Sequence, residues 1–296
     1  MTVVRARPYL GTLVEIGAQG PGAATAVDAA FAAVARIHRL MSVHEADSEL
    51  SRVNRCAAAL PVPVGEDLWV VLKAAQTLAE ESGGLFDISV GGRLAALGLL
   101  PEHGAPAAPV LGDWRDLQLL PGRRVAFARP LYLDLGGIAK GYAVDVALQN
   151  LRDAGMTQSW VNAGGDLARF GTEQVMLQVR HPADPARLIS LFSWRIGAAA
   201  TSAGYYAPPR NGIPQSPLID PRIGRPQVLD RSITVLAPTT LLADAMTKVV
   251  ALDPVRATSL LSAHGARAFI LEGRPDGDVA VFDSASACLS GETSHG

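Results

Sequence analysis

Residues 131–145 read LYLDLGGIAKGYAVD. An apolar run holds a single acid, Asp134, and a glycine pair then gives way to helix-forming residues around Lys140. The pattern predicts a strand over Leu131–Leu135 and a helix over Ile138–Ala154, stopped by Gly155. Such a junction leaves free backbone N–H groups at a helix N-terminus, which suits an anion. Gly136 and Gly137 would let the backbone approach a ligand closely. Neither the dinucleotide fingerprint G-x-G-x-x-G nor the phosphate loop G-x-x-x-x-G-K-S/T is present here. By spacing alone, an anion site and a plain strand-to-helix turn with a solvated Lys140 fit this stretch equally well.

Upstream, Thr12–Ile16 is expected as a strand and Ala23–Met41 as a helix, from apolar residues at Val27, Phe31, Val34, Ile37 and Met41. A second helix is expected over Asp67–Ser82, with Asp67 as N-cap and Gly83 as stop. Downstream, strands are expected at Trp160–Asn162, Val175–Val179 and Ile233–Ala237. Helices follow at Thr240–Leu252 and Val255–His264, then a strand pair at Ala268–Leu271 and Val279–Phe282. Segments 101–113 and 207–226, rich in Pro and Gly, read as surface connections or lids. Strands and helices mix without strict alternation, so the fold class is α+β.

With 49% hydrophobic and 18% charged side chains, the 296 residues suffice for a sizeable core, and one domain over 1–296 is expected. A net charge of -2 gives no basic footprint for nucleic acid. Cys56 and Cys288 lack metal-type spacing and read as free thiols in a reducing compartment. No apolar run approaches a membrane span and no secretory signal is evident, so a cytoplasmic location is expected.

Four further stretches bear on chemistry. FDISVGGR (86–93) sets Asp87 before a glycine pair, and VNAGGDL (161–167) sets Gly164 and Gly165 before Asp166. Three glycine pairs beside acids suggest several loops brought close to an extended ligand. LLADAMTKVV (241–250) puts Asp244, Thr247 and Lys248 on one helix face, either a hard-oxygen set for Mg²⁺ or a simple Asp–Lys surface pair. TSAGYY (201–206) reads as a turn supplying hydroxyls, and LIDPRIGRP (218–226) as a loop carrying Asp220 and Arg222. The 6 histidines show no zinc-ligand spacing, and Ser202 lies in no nucleophile elbow.

Taken in order, YLGTLVEI, MSVHEADSELSRVN, FDISVGG, DLGGIAKGYAVD, VNAGGD, ATSAGYY, LIDPRIGRP and LADAMTK resemble the FAD:protein FMN transferases, the ApbE family, over about residues 7–270. The resemblance implies an ApbE-like (T-fold-like) mixed sheet with helices, and an FAD cleft between sheet and loops. It implies Mg²⁺ at the pyrophosphate, FAD as substrate, and a target flavoprotein whose Thr or Ser hydroxyl receives FMN as AMP leaves. Carried over by motif, Leu10, Ser42, Val43, His44, Glu45, Asp87, Gly164, Gly165, Thr201, Ser202 and Leu218 would bind FAD. Asp134 and Lys140 would both bind it and act in catalysis, while Gly137, Asp244 and Thr247 would hold the metal.

The chain departs from the family pattern at Leu10, where methionine is usual, and at Lys248, where many members have a threonine ligand. It also has Pro217 where many carry a histidine assigned as base. These departures keep two alternatives in view: Mg²⁺-dependent hydrolysis of FAD to FMN and AMP, and non-catalytic FAD binding or delivery.

Overall fold

The computed structural model describes residues 1–102, 105, 112–204, 217–274 and 278–285. In chain order it contains β1 (Thr2–Tyr9), β2 (Thr12–Gln19), α1 (Ala23–Met41), α2 (Glu49–Cys56), β3 (Val62–Pro63), α3 (Glu66–Glu81) and α4 (Gly91–Ala96). Next come β4 (Leu117–Leu120), β5 (Arg124–Phe127), α5 (Ala139–Asp153), β6 (Gln158–Ala163), β7 (Asp166–Phe170) and β8 (Val175–Arg180). These are followed by β9 (Leu188–Trp194), β10 (Gly197–Ala203), β11 (Ile219–Asp220), β12 (Arg225–Pro226) and β13 (Ser232–Ala237). The described chain closes with α6 (Thr240–Leu252), α7 (Pro254–Ala263), β14 (Arg267–Gly273) and β15 (Val279–Asp283).

Eight strands form one sheet in the order β1-β2-β6-β7-β10-β13-β14-β15. Every neighbouring pair in it is antiparallel. The class is therefore α+β. β2 pairs with β6 from Val14↔Ala163 to Gln19↔Gln158, joining the N-terminal hairpin to the second half of the chain.

Alternation along β10 explains how both faces are covered. Ala198 and Ala200 point into the cores shared with the helices, whereas Ala199 packs with Leu177 and Trp194 of the β8–β9 hairpin. On the helical face, α1 and α5 bury Val27, Phe31, Val144 and Leu148 against Val14, Ile16 and Val161. α2, α3 and α6 enclose the other large core, around Leu50, Leu68, Leu72 and Met246. No helix among the described residues is long and apolar enough to cross a membrane.

The segment 131–135 is not a sheet strand. Its apolar residues are buried, as an apolar run should be, but its backbone is satisfied differently. The buried Asn54 of α2 donates to the Leu133 carbonyl at 3.0 Å and accepts from the Leu133 N–H at 2.8 Å, imitating a neighbouring strand. The Asp134 N–H donates to the Ile88 carbonyl at 2.8 Å, and a lone parallel bridge joins Val90 to Tyr132. FDISVGG thus runs beside LYLDLGG, and Gly91 is required there: a Cβ would lie 2.3 Å from the Tyr132 carbonyl oxygen.

Three smaller expectations are corrected. Gly65, not Asp67, holds the N-cap position of α3, and Asp67 instead pairs with Arg36 and accepts from the Tyr142 hydroxyl at 2.9 Å. Thr201 and Ser202 end a strand rather than forming a turn; Tyr205 and Tyr206 lie outside the described residues, as do Cys288, 103–104, 106–111 and 207–216. The loop 218–226 contains the short β11–β12 hairpin.

Candidate functional site

The site forms where α5 crosses the start of α6. Gly141 makes that crossing possible, because a Cβ there would stand 2.3 Å from the Thr240 carbonyl oxygen. One turn later, Asp145 accepts from the Thr240 and Leu241 N–H groups at 2.8 and 2.9 Å, capping α6 from its neighbour. The two contacts set Lys140 of α5 opposite Asp244 of α6.

Asp244 is fully buried, and two ammonium groups converge on it. Lys140 Nζ lies 3.2 Å from Oδ2, and Lys248 Nζ contacts Oδ1 from one turn along α6. The Gly141 N–H donates to Oδ2 at 3.3 Å. Lys140 also donates to the Gly136 carbonyl at 3.2 Å and lies 2.9 Å from Asp166 Oδ2, a buried oxygen without an aligned hydrogen bond. Lys248 further donates to the Asp244 carbonyl at 3.0 Å and to Ser202 Oγ at 3.5 Å.

The electrostatics follow from these contacts. Burial works against the charge on Lys140, yet Asp166 and Asp244 outweigh it and hold the ammonium well above the ordinary lysine range. Burial likewise opposes the Asp244 charge, but Lys140 and Lys248 keep its carboxyl below the usual range. Asp166 is pushed up to about 6, first by burial and then by the Asp244 charge. Burial also raises Asp134, against a backbone hydrogen bond from Gly136, and Asp87, against the Ser89 hydroxyl and N–H, each 2.7 Å away.

A cavity of about 400 Å³ opens over this cluster, within the range of small-molecule sites. Of the expected ligand-binding residues, Asp87, Asp134, Lys140, Gly164, Thr201, Ser202 and Leu218 line it, with Gly137, Thr247, Lys248, Asp166 and Pro217. The glycine pair serves close approach, since a Cβ on Gly137 would meet Lys248 Cε at 3.2 Å. Gly165 sits just behind the wall, accepting from the Thr201 N–H at 3.1 Å.

Leu10 and residues 42–45 are not in this lining. Leu10 occupies the β1–β2 turn at φ 56, with its N–H donating to His38 Nδ1 at 3.3 Å. Val43 is buried in the core, Ser42 accepts from the His44 N–H at 3.2 Å, and His44 and Glu45 are exposed. Asp220 is held by Arg222, whose guanidinium lies 2.8 Å away and lowers its carboxyl. Sequence reasoning missed the work of Asn54, Gly141 and Asp145; each acts on backbone distant in sequence, and no local pattern reports that.

Gly137, Asp244 and Thr247 come together, as the metal expectation requires, but they do not present a donor set for a divalent cation. Both Asp244 oxygens are engaged by N–H donors, and the fully buried Thr247 hydroxyl pairs with the Asp244 carbonyl at 2.7 Å and with Ser202 Oγ at 2.8 Å. Among the described residues, no group of three or more His, Cys, Asp or Glu could hold a metal ion.

Comparison with known proteins places the chain in a family. The chain is 32% identical over 255 residues to an FAD:protein FMN transferase of Rhodobacter capsulatus, covering 79% of this chain and 48% of the relative. It therefore spans about half the length of that protein. An FAD:protein FMN transferase of Salmonella typhimurium is 26% identical over 262 residues, covering 80% of this chain and 74% of the relative. Among solved structures, the ApbE protein of Thermotoga maritima superposes with a TM-score of 0.82 at 26% identity, covering 98% of this chain and 99% of the other. A mutant flavin transferase ApbE from Vibrio cholerae superposes with a TM-score of 0.81 at 25% identity, with the same coverage. With the ApbE family model also matching residues 10–270, this chain belongs to the ApbE family.

Proposed function

We propose that this protein transfers the FMN half of FAD to a Thr or Ser hydroxyl of a target flavoprotein and releases AMP. The observation that carries the reading is the pair of ammonium groups, Lys140 and Lys248, at the glycine-walled cavity of a chain whose relatives are named FAD:protein FMN transferases.

In the reaction the acceptor oxygen bonds to the phosphorus of the FMN half. The bond from that phosphorus to the bridging oxygen breaks, and the bridging oxygen leaves with AMP. Such transition states are loose, so the protein's task is to position the reactants and to stabilise developing negative charge. Lys140 and Lys248 supply the opposing positive charge, held by the buried carboxylates of Asp166 and Asp244. The bare backbone at Gly136 and Gly137 lets the pyrophosphate come close. Among the described residues Asp134 forms no salt bridge; it lines the cavity with its carboxyl raised by burial, and we assign it the acceptor's proton. Asp220 is unsuited, being tied to Arg222. The Mg²⁺ requirement expected from the resemblance does not fit the donor set at Asp244, and no step here runs through a metal.

The test is to incubate the protein with FAD, with and without a flavoprotein acceptor, and follow AMP and a fluorescent flavinylated band. AMP that appears only with acceptor, in step with the band, is the expected result. AMP released at the same rate without acceptor would make the protein a hydrolase. Bound FAD with no AMP under any condition would make it a binding or delivery protein.

A further inference from the structure

We infer that the Lys248 ammonium is the resident cation of this site: with Lys140 it takes the place a divalent metal would have at Asp244, so that FAD binds without one. The inference rests on the reading of FAD as ligand.

An Asp–Lys pair at i, i+4 on a helix is ordinarily a solvated surface contact worth a few tenths of a kcal/mol. Here the Asp244 side chain is only 1% exposed, and it meets Lys248 at the foot of the cavity. The Lys248 side chain reaches back one turn to Asp244 Oδ1 and to the Asp244 carbonyl, with its Cε 3.2 Å from where a Gly137 Cβ would stand. The missing side chain at Gly137 is thus filled by the lysine stem.

Mg²⁺ demands oxygen donors at about 2.0–2.1 Å in near-octahedral array. Asp244 Oδ1 instead faces Lys248, Oδ2 is shared by Lys140 and the Gly141 N–H, and the Thr247 hydroxyl is paired with both the Asp244 carbonyl and Ser202 Oγ. Two ammonium groups carry the same formal charge as one divalent ion. They are built into the chain, so their charge is present whether or not metal is available. Lys140 and Lys248 keep 28% and 21% of their side-chain surface accessible, enough to meet a phosphate from the cavity.

The experiment measures FAD affinity by flavin fluorescence and calorimetry in EDTA and in saturating Mg²⁺, and titrates Mg²⁺ alone into the FAD-free protein. For the native chain, FAD affinity should change by no more than about twofold between the two conditions, and Mg²⁺ alone should give no saturable heat. In K248T and in K248Q, FAD affinity in EDTA should fall about 10- to 100-fold, the loss of one charge-assisted contact, and should recover with Mg²⁺. Circular dichroism checks that each variant folds, and the native-chain arms stand without them. A tenfold or greater loss of native FAD affinity in EDTA would overturn the inference. So would saturable Mg²⁺ binding to the FAD-free native chain, or variants that bind FAD in EDTA as the native chain does. If no FAD binds under any condition, the functional reading fails instead, while the titration with Mg²⁺ alone still decides whether Lys248 holds the cation position.

Discussion

Replacing Gly141 by Ala sets two effects of opposite sign against each other. Alanine is the better helix former, and in an unconstrained helix interior the change would stabilise by about 1 kcal/mol. At this position the new methyl would stand 2.3 Å from the Thr240 carbonyl oxygen, 2.6 Å from its carbon and 2.8 Å from Leu241 Cα, all of them backbone. To restore ordinary contact, α5 and α6 must part by about 1 Å. Overpacking of this kind costs about 1–3 kcal/mol. The same displacement stretches both N–H contacts from α6 to Asp145, now 2.8 and 2.9 Å, and each is worth about 0.5–1.5 kcal/mol. The clash and the lost cap outweigh the propensity gain, leaving G141A less stable by about 1–5 kcal/mol. Urea denaturation followed by circular dichroism reads this directly, and FAD titration should show weakened binding as Lys140 withdraws from Asp244. A variant as stable as the native chain, or more stable, would refute the claim that this crossing is held at contact distance.

Asn54→Ala removes both hydrogen bonds to Leu133 and leaves two buried backbone groups unpaired, so a loss of about 2–5 kcal/mol in urea midpoint measurements is expected. Asp134→Asn should lower kcat for AMP release by about 10²–10⁴-fold while FAD affinity stays within a few-fold, because the amide keeps the shape and loses the base. Arg129 lowers the Asp116 carboxyl, so its stabilisation is present above the ordinary carboxylate pKa and is lost as pH falls through the depressed value. R129M should therefore be less stable than the native chain at pH 7, and the gap should close in denaturation series below about pH 4.

Helices with strong periodicity were legible to within a residue or two: Ala23–Met41 and Thr240–Leu252 form as the pattern predicts. The segment 131–135 misled because burial and backbone pairing are separate matters. An apolar run specifies the first, and here a side-chain amide from α2 supplies the second. In the site, the ordered motifs put Asp87, Asp134, Lys140, Ser202 and Thr247 on one cavity wall, with Asp244 beside Lys140 and Lys248 beneath it. Asp166 was visible beside its glycines, but its tie to Lys140 depends on how β7 meets α5. The Lys248 contact was written in the i, i+4 spacing. What the spacing could not convey is that its carboxylate partner is buried, which turns a common surface pair into part of the cavity floor.

The pairing of β2 with β6 has a consequence for synthesis. β1 and β2 leave the ribosome well before β6, and they can zip into a hairpin at once because Tyr9 and Thr12 are neighbours across a two-residue turn. The apolar face of β2, with Val14 and Ile16, can take α1 early, but its inner hydrogen-bonding edge is closed only when β6 arrives. At about 5–20 residues per second, that leaves the hairpin waiting on the order of ten seconds with one long edge unpaired. Arg5, Arg7 and Pro8 on β1 are the kinds of residue that discourage a second nascent chain from pairing at the outer edge, whereas β2 has Glu15 as its one charged residue until β6 covers its inner edge. Chains stalled or truncated before residue 158 should therefore be the aggregation-prone form of this protein, held in check by chaperones rather than by their own fold.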